Sequence, residues 1–362
     1  MQMIVKIAME PEWESKFEPN SYGFRPGRRT MDAIMQIRTT IMRNSTRDGS
    51  QWILDADIAK CFDNINHRAL LDRIQVFKQA IRRWLKIGII EFGSWHETVA
   101  GTPQGGIISP LLANIALDGL ERLFGMETAK GKYIFPSKRR GKNRGVSVIR
   151  YADDFVIVAP SREIISNHVL PATRRFLAER GMTLNDAKTR IIHRSEGLNF
   201  LGFNVRQRKN HNAPCIVTPS KEAVHRLLDK IKDVLTTYKQ ATVNDIILTL
   251  NPLLRGWGNY YRFCNAKGTF TYVDHRTWEM IWRWCVRRHP AKGKHWIKKR
   301  YFLKSNRRDW IFGEQEDHVL FRVATIHVSI KGYTKVKGSN SPFDPMLHNY
   351  WERREGSGGN ES

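Results

Sequence analysis

The sequence of 362 residues is poor in cysteine, with Cys61, Cys215, Cys264 and Cys285 spread widely along the chain. No two of them form a CxxC pair, which argues against a zinc ribbon or finger. A disulfide framework is equally unsupported in a chain of this size. We therefore expect a reducing compartment, either a bacterial cytoplasm or an organelle matrix.

The sequence also lacks a long apolar run and is short of acidic residues. No apolar stretch approaches the roughly 20 residues of a membrane span, and the start, MQMIVKIAMEPEWE, does not read as a secretory signal. Only 35 Asp and Glu stand against 60 Lys and Arg, giving a net charge of +25. A globular chain this basic usually binds a polyanion, and we expect nucleic acid rather than a membrane.

What is present centres on residues 146–160, VSVIRYADDFVIVAP. Two β-rich apolar runs flank a short polar break, a pattern that predicts a hairpin. Asp153 and Asp154 then lie at its tip. Adjacent carboxylates repel unless cations or donors compensate them, and Mg²⁺ prefers such oxygen ligands. An ordinary Asp-rich turn is the alternative.

A second stretch, residues 51–65, reads QWILDADIAKCFDNI. Its apolar start predicts a strand over 51–57 that ends at Asp57, 96 residues before Asp153. Two-metal phosphoryl transfer needs carboxylates that hold ions roughly 3.5–4 Å apart, and two neighbouring strands can supply them. Taken alone, Asp57 would equally suit a helix N-cap or a turn.

The motifs YADD, LDADIAKCFDNI, GTPQGGIISPLLANIALD (101–118) and GMTLNDAKT (181–189) resemble the palm motifs of a reverse transcriptase. The segments SYGFRPGRRTMDAI (21–34) and NFLGFNV (199–205) are similar to the group II intron-encoded reverse transcriptase/maturase family. The resemblance runs from about Met9 to Arg353, and its motifs follow one another in the family's order.

The resemblance implies an α+β fold, a right-hand polymerase with an antiparallel palm sheet and a helical thumb. It implies fingers and palm over 1–206, a thumb or maturase domain over 207–305, and a DNA-binding-like segment over 306–353. We expect a disordered tail over 354–362. No Cys/His cluster follows, so we expect no HNH endonuclease module.

The activity implied is RNA-directed DNA synthesis from a primer 3′-OH, with assistance to intron splicing. The implied partners are group II intron RNA, an RNA template, a DNA primer and dNTPs, with no membrane. Two Mg²⁺ ions are the expected cofactors. Asp57, Asp153 and Asp154 would be catalytic and would bind metal, and Ile58 belongs to the same implied metal site.

Four residues are implied to contact the nucleotide: Phe62, Gln104, Gly105 and Lys188. Phe62 would lie under the sugar and exclude a 2′-OH, or else be a core residue. Gly105 would allow a close backbone approach in a Gly-Pro turn. Lys188 would protonate the leaving pyrophosphate, contact a phosphate or remain a surface lysine.

Basic residues in two regions are candidates for nucleic-acid contacts. The first set is Arg25, Arg28 and Arg29, with a solvated basic loop as the alternative. The second is Lys298, Lys299 and Arg300, in a stretch, 251–310, that holds 15 Lys or Arg, 3 Asp or Glu and 13 aromatic residues. Basic groups neutralise phosphates and aromatic rings stack on bases or pack a core. Helical spacing indicates that Trp278, Trp282 and Trp284 pack internally.

The front of the chain departs from the family, because the segment expected before SYGFRPG is short. This leaves two alternatives to the enzyme open, a non-enzymatic splicing factor that binds intron RNA and an inactive fragment. The oligomeric state and the DNA target do not follow from the sequence.

Overall fold

The computed structural model of the chain describes residues 1–43, 51–86, 89–91, 94–96, 100–102, 105–126, 134, 138–139, 141–208, 214–305, 308–315 and 317–358. They form two compact units. Unit 1 comprises Met1–Leu198, Val205–Cys215 and Thr334–Gly356, and unit 2 consists mainly of Asn199–Asn204 and Ile216–Tyr333. Within the described ranges, no helix has both the length and the apolar character of a membrane span.

The helices, in chain order, are α1 (Gln2–Lys16), α2 (Thr30–Arg43), α3 (Cys61–Asn64), α4 (His67–Arg73), α5 (Lys78–Leu85), α6 (Ser109–Leu117), α7 (Leu120–Leu123), α8 (Arg162–Ile164), α9 (Leu170–Ala178), α10 (Lys221–Thr237), α11 (Val243–Tyr261), α12 (Lys267–Arg288), α13 (Lys294–Tyr301) and α14 (His348–Gly358). The strands are β1 (Trp52–Ala59), β2 (Ile89–Glu91), β3 (Ser94–His96), β4 (Ser147–Tyr151), β5 (Asp154–Ala159), β6 (Thr183–Leu184), β7 (Arg190–His193), β8 (Leu198–Phe200), β9 (Phe203–Arg206), β10 (Ile216–Pro219), β11 (Phe302–Ser305), β12 (Arg308–Gln315) and β13 (His318–Val319).

Unit 1 is built on a five-stranded antiparallel sheet. Its order is β4-β5-β1-β6, and β7 also pairs with β1. The predicted hairpin is confirmed as β4 and β5, and the predicted first strand as β1. The α+β class and the antiparallel palm sheet are therefore confirmed.

Apolar side chains of the sheet and of the helices beside it form the core of unit 1. Leu54, Phe155 and Ile157 of the central strands are fully buried and belong to one cluster with Ile115 of α6 and Leu177 of α9. Because β5 is buried on both faces, it reads as a continuous apolar run rather than as an alternating one. This packing fixes the strand ends at which the candidate site lies.

Apolar residues at helical spacing, such as Leu70, Leu71, Ile74 and Phe77, predict one helix over residues 67–83. That prediction is wrong. The structure has two helices, α4 and α5, separated after Arg73 by Ile74 in an extended conformation. Phe77 then adopts a left-handed conformation, with φ of 56°, at the start of α5. A helix cannot pass through these backbone angles, although the apolar spacing of the residues is helical.

Apolar residues at helical spacing, such as Val224, Leu227 and Ile231, also predict helix over residues 219–250. The structure divides this stretch into two helices. The first, α10, ends at Thr237, and α11 begins after Thr242, whose side chain forms a capping box with Asp245. Such a reciprocal pair satisfies two free backbone donors and starts a new helix. The prediction rested on apolar periodicity, which continues on both sides of this break, and so it missed the helix start marked by Thr242 and Asp245.

Unit 2 consists of α10 to α13 with a three-stranded sheet in the order β11-β12-β13. Its tryptophans pack internally as predicted. Trp278 and Trp282 are stacked with centroids 6.2 Å apart, and Trp310 meets both edge-on. Trp284 is 4% exposed. These aromatic residues therefore serve the core of the unit.

Candidate active site

Two of the predicted catalytic carboxylates face each other across the central strands. Asp57 near the end of β1 is the register partner of Asp154 at the start of β5. Side chains directly opposite in an antiparallel pair lie close together on one face of the sheet. Asp153 precedes Asp154 in the tip of the hairpin, and both are half-buried. The fold thus brings together the three residues that the sequence predicted.

The tip of the hairpin is held by a buried arginine of β4. The guanidinium of Arg150 donates through Nη1 to the carbonyl of Ala152 (2.9 Å) and to Oδ1 of Asn114 in α6 (3.0 Å). Asn114 in turn donates to the carbonyl of Gly23 (2.9 Å). Ala152 itself has a φ of 57°, in the left-handed region that few alanines adopt. This network could not be predicted from local sequence patterns, because its members lie far apart in the chain.

The three carboxylates are electrostatically crowded. Burial and, after it, the negative charges of Asp153 and Asp57 together raise the pKa of Asp154 to about 7. A raised carboxyl pKa means that the ionised form is under-compensated by its surroundings. A cation placed among these oxygens would relieve that cost.

Lys188 supplies one such cation. Its ammonium lies 2.9 Å from Oδ2 of Asp57, and Asn185 approaches the same oxygen at 3.3 Å. The hydrogen bond to Asp57 is the main reason why the pKa of Lys188 is raised. Its side chain is 66% exposed. Lys188 therefore lies at the carboxylates, while its predicted nucleotide contact stays a prediction.

Asp55 is a further acidic residue of the site that the motif reading missed. It lies two residues before Asp57, so that both point to the same face of β1. Arg190 of β7 pairs with it at 2.9 Å, and burial raises its pKa. The alternating acids of the sequence LDAD were the signal for this position.

The fit of a divalent cation can be judged from the donors. Among the residues that the structure describes, no group of three or more His, Cys, Asp or Glu side chains is arranged to hold a metal ion. The donors themselves are hard carboxylate oxygens, which Mg²⁺ prefers. The negative charge of Asp154 is not fully compensated by its surroundings. Ile58, the other predicted member, is buried and pairs with Leu184 in the sheet.

The structure describes two of the other three predicted nucleotide contacts, Phe62 and Gly105. Phe62 is half-buried, packs on the core and meets Phe24 edge-on at 6.2 Å, and Phe24 is 51% exposed. Gly105 has a φ of 80°, which glycine adopts readily. Gln104 lies outside the described residues. Contacts of these residues with a nucleotide stay predictions.

The first set of predicted basic contacts is directed largely into the protein. Arg25 forms a fully buried ion pair with Glu14 at 2.8 Å. Arg28 donates to the carbonyls of Pro19 (2.8 Å) and Gly338 (3.0 Å) and is 8% exposed. Arg29 is partly exposed. The guanidinium groups of Arg25 and Arg28 thus bind other parts of the protein and stabilise its fold. Nucleic-acid contact by this set stays a prediction.

The second set lies on α13 in unit 2. Lys298 stacks over Trp310 at 4.5 Å and approaches Asp309 at 3.7 Å. Lys299 and Arg300 are exposed. The charge of Lys298 is therefore partly satisfied within the protein, whereas its two neighbours face solvent.

An acidic cluster at the tip of an antiparallel palm sheet defines the class of nucleotidyl-transferring polymerases with a right-hand fold. The sequence matches the family "Reverse transcriptase (RNA-dependent DNA polymerase)" over residues 1–205, and the chain belongs to that family. Residues 224–302 match the "Group II intron, maturase-specific domain". The resemblance of the motifs to group II intron-encoded reverse transcriptases and maturases is confirmed.

Among curated proteins, the chain is 28% identical over 351 residues to the group II intron-encoded protein LtrA of Lactococcus lactis subsp. cremoris, covering 75% of this chain and 58% of LtrA. It is 30% identical over 242 residues to protein YkfC of Escherichia coli, covering 60% of this chain and 63% of YkfC. The chain thus spans about three fifths of the length of these relatives. A solved telomerase structure from Candida albicans has a TM-score of 0.42 and 13% identity, covering 84% of this chain and 56% of the telomerase chain.

Proposed function

We propose that this chain is an RNA-directed DNA polymerase of a group II intron, which extends a DNA primer on an RNA template and assists splicing of the intron RNA. The observation that carries the proposal is the register pairing of Asp57 with Asp154, next to Asp153, in a member of the reverse transcriptase family. The match of residues 224–302 to the maturase-specific domain supports the splicing function.

In this proposal Asp57, Asp153 and Asp154 would hold two Mg²⁺ ions, and ions bound there would supply Lewis-acid chemistry at the primer 3′-hydroxyl and at the leaving pyrophosphate. The chain's own residues position the reactants. Arg150 fixes the turn that carries Asp153, and Phe62 lies against the sugar of the incoming dNTP. Lys188 is placed to exchange its contact with Asp57 for one with a phosphate, since its stem is flexible and exposed.

Primer extension tests the polymerase. The wild-type chain with an RNA template, a DNA primer, dNTPs and Mg²⁺ is compared with the double variant Asp153→Asn, Asp154→Asn. We expect extension by the wild type and a loss of at least a thousandfold in the variant, because both carboxylates are proposed to bind metal. The variant Asp186→Asn, which removes an exposed carboxylate paired with Arg174, is the matched control. Equal extension by wild type and double variant would contradict the assignment.

A second candidate function, splicing assistance without DNA synthesis, is favoured by the maturase-specific match alone. The same double variant separates it from the polymerase. Retained splicing of a group II intron RNA with lost extension would show two independent functions. Splicing by the wild type without any extension would leave only the RNA-binding function.

A further inference from the structure

Unit 2 contains a groove between α10 and α12 that is distinct from the carboxylate cluster. The two helices run in the same direction, because they are joined at both ends. Before the helices begin, the backbone nitrogen of Asn265 donates to the carbonyl of Val217 (2.7 Å). Near their ends, the indole of Trp284 in α12 donates to the carbonyl of Tyr238 at the end of α10 (3.2 Å). The groove has a volume of about 470 Å³. From Tyr272 to Arg287 it follows about 22 Å of α12, at 1.5 Å per residue.

The walls of the groove are mainly basic, with four Lys or Arg side chains against one carboxylate, that of Asp229. Lys232 of α10 and Arg283 and Arg287 of α12 line it and are exposed. Within the part of the chain that the structure describes, the charged heads of these three side chains make no ion pair or hydrogen bond. Arg276 also lines the groove, but it is paired with Glu279. Three uncompensated cations along one groove form a strong attraction for a polyanion.

The spacing of the cations suits a nucleic-acid strand. Arg283 and Arg287 are one helical turn apart, about 6 Å along the axis, and Lys232 lies on the opposite wall. Tyr272 lies at the other end of the groove with 48% of its surface exposed. Exposed aromatic rings beside cations provide the stacking surface that unpaired bases use.

We propose that this groove binds a single strand of RNA, with Lys232, Arg283 and Arg287 contacting phosphates and Tyr272 stacking on a base. The proposal rests on the proposed function in that the ligand is RNA. The residues proposed here as the main RNA contacts of unit 2 therefore differ from Lys298, because the charge of Lys298 already interacts with Trp310 and Asp309. An acidic amphipathic helix of a protein would be the rival occupant, since Leu228 and Met280 also line the groove.

The test is the affinity of the full chain for a fluorescein-labelled single-stranded RNA of 30 nucleotides, measured by anisotropy at several salt concentrations. The groove variant is Lys232→Gln, Arg283→Gln, Arg287→Gln. The control is Arg226→Gln, Lys230→Gln, Lys239→Gln, which removes the same charge from exposed positions outside the groove. Melting temperatures check that both variants fold.

We expect the groove variant to bind roughly tenfold or more weakly, with a salt slope reduced by about 2, since each phosphate contact on a single strand contributes about 0.7. The control should stay within about threefold of wild type. Tyr272→Ala should weaken binding roughly fivefold or more and Tyr272→Phe should not, because phenylalanine retains the stacking face.

Equal weakening by the groove and control variants would overturn the proposal in favour of a diffuse basic surface. Unchanged affinity in the groove variant would also overturn it and would assign the groove to a protein partner. Primer extension by the groove variant is measured as well. It shows whether the proposed polymerase is still active when the groove is altered. Absent extension by the wild type would refute the polymerase while leaving the binding comparison intact.

Discussion

Arg150 donates from its buried guanidinium to the carbonyl oxygen of Ala152, the residue immediately before Asp153. The two residues flank Tyr151 in the sequence. The side chain of Arg150, in β4, thus binds the backbone of the hairpin tip that follows this strand. Burial lowers the pKa of Arg150, yet the group stays charged because arginine starts from so high a value. A charged donor in a buried place forms a strong hydrogen bond, and this bond fixes the left-handed turn at Ala152.

We predict that Arg150→Met lowers kcat of primer extension by on the order of a hundredfold while changing KM for dNTP little, because small displacements of catalytic groups are costly. Arg150→Lys should recover part of the loss, since lysine can donate to Ala152 but cannot also reach Asn114 with a planar fork. Steady-state kinetics measure the split. Arg174→Met, at an exposed pair with Asp186, is the control. A loss of stability with unchanged kcat would refute the positioning role.

The parts of the site that followed from sequence were local. The hairpin and the strand before Asp57 each show within a few residues the β-rich pattern and the polar break that define them. The network of Arg150, Asn114 and Gly23 did not follow, because it joins residues that are distant in the chain. Burial of Arg25 was not predicted either, because it depends on how the turn that carries Arg25 packs against Glu14 of α1.

Gly23 provides a second test of the turn. A Cβ at this position would lie 2.9 Å from Cα of Ala152 and would also contact its backbone nitrogen. Gly23→Ala should therefore displace the turn, lower extension strongly and reduce the free energy of unfolding by about 1–3 kcal/mol. Urea denaturation and extension assays measure the two effects.

Gly256→Ala is the matched control for that substitution. It lies within α11, where an added Cβ meets no atom within 4 Å. Because alanine favours the helix, this variant should gain about 0.5–1 kcal/mol in stability and keep its activity. Equal behaviour of the two alanine variants would contradict the close approach of Gly23 to Ala152.

Glu18 predicts a pH dependence of stability. Burial first, and then the charge of Asp118, raises its pKa to about 7 from an ordinary 4.5. The folded state therefore holds this proton more tightly than the unfolded state does. The stabilising contribution is full below pH 4.5 and is lost as pH rises through 7. Glu18→Gln, which has no proton to lose, should gain stability relative to wild type between pH 5 and pH 8.

The expected gain is on the order of 1–3 kcal/mol. Glutamine can still accept the hydrogen bond that Glu18 receives from the backbone nitrogen of Arg122 (2.8 Å). Urea denaturation at pH 5, 6, 7 and 8 measures the difference. Glu12→Gln, at a side chain that is 44% exposed, is the control. A difference between Glu18→Gln and wild type that does not vary with pH would show that Glu18 titrates normally.

Asp32 and Arg354 form a buried ion pair between α2 and α14, with side chains 0% and 6% exposed. Arg354 is therefore ordered, contrary to the disordered tail predicted over 354–362. Asp32 also accepts from the backbone nitrogen of Val336 (2.8 Å), so this one carboxylate contacts the segment Thr334–Gly356 through a side chain and through the backbone. Arg354→Met should lower the free energy of unfolding by about 3 kcal/mol, because it leaves a buried carboxylate without its cation. Adding Asp32→Asn should recover part of that loss.

The same change at an exposed pair, Lys16→Met beside Glu12, should cost less than about 1 kcal/mol. Equal losses for the two methionine variants in urea denaturation would show that the buried pair stabilises the fold no more than the exposed pair does.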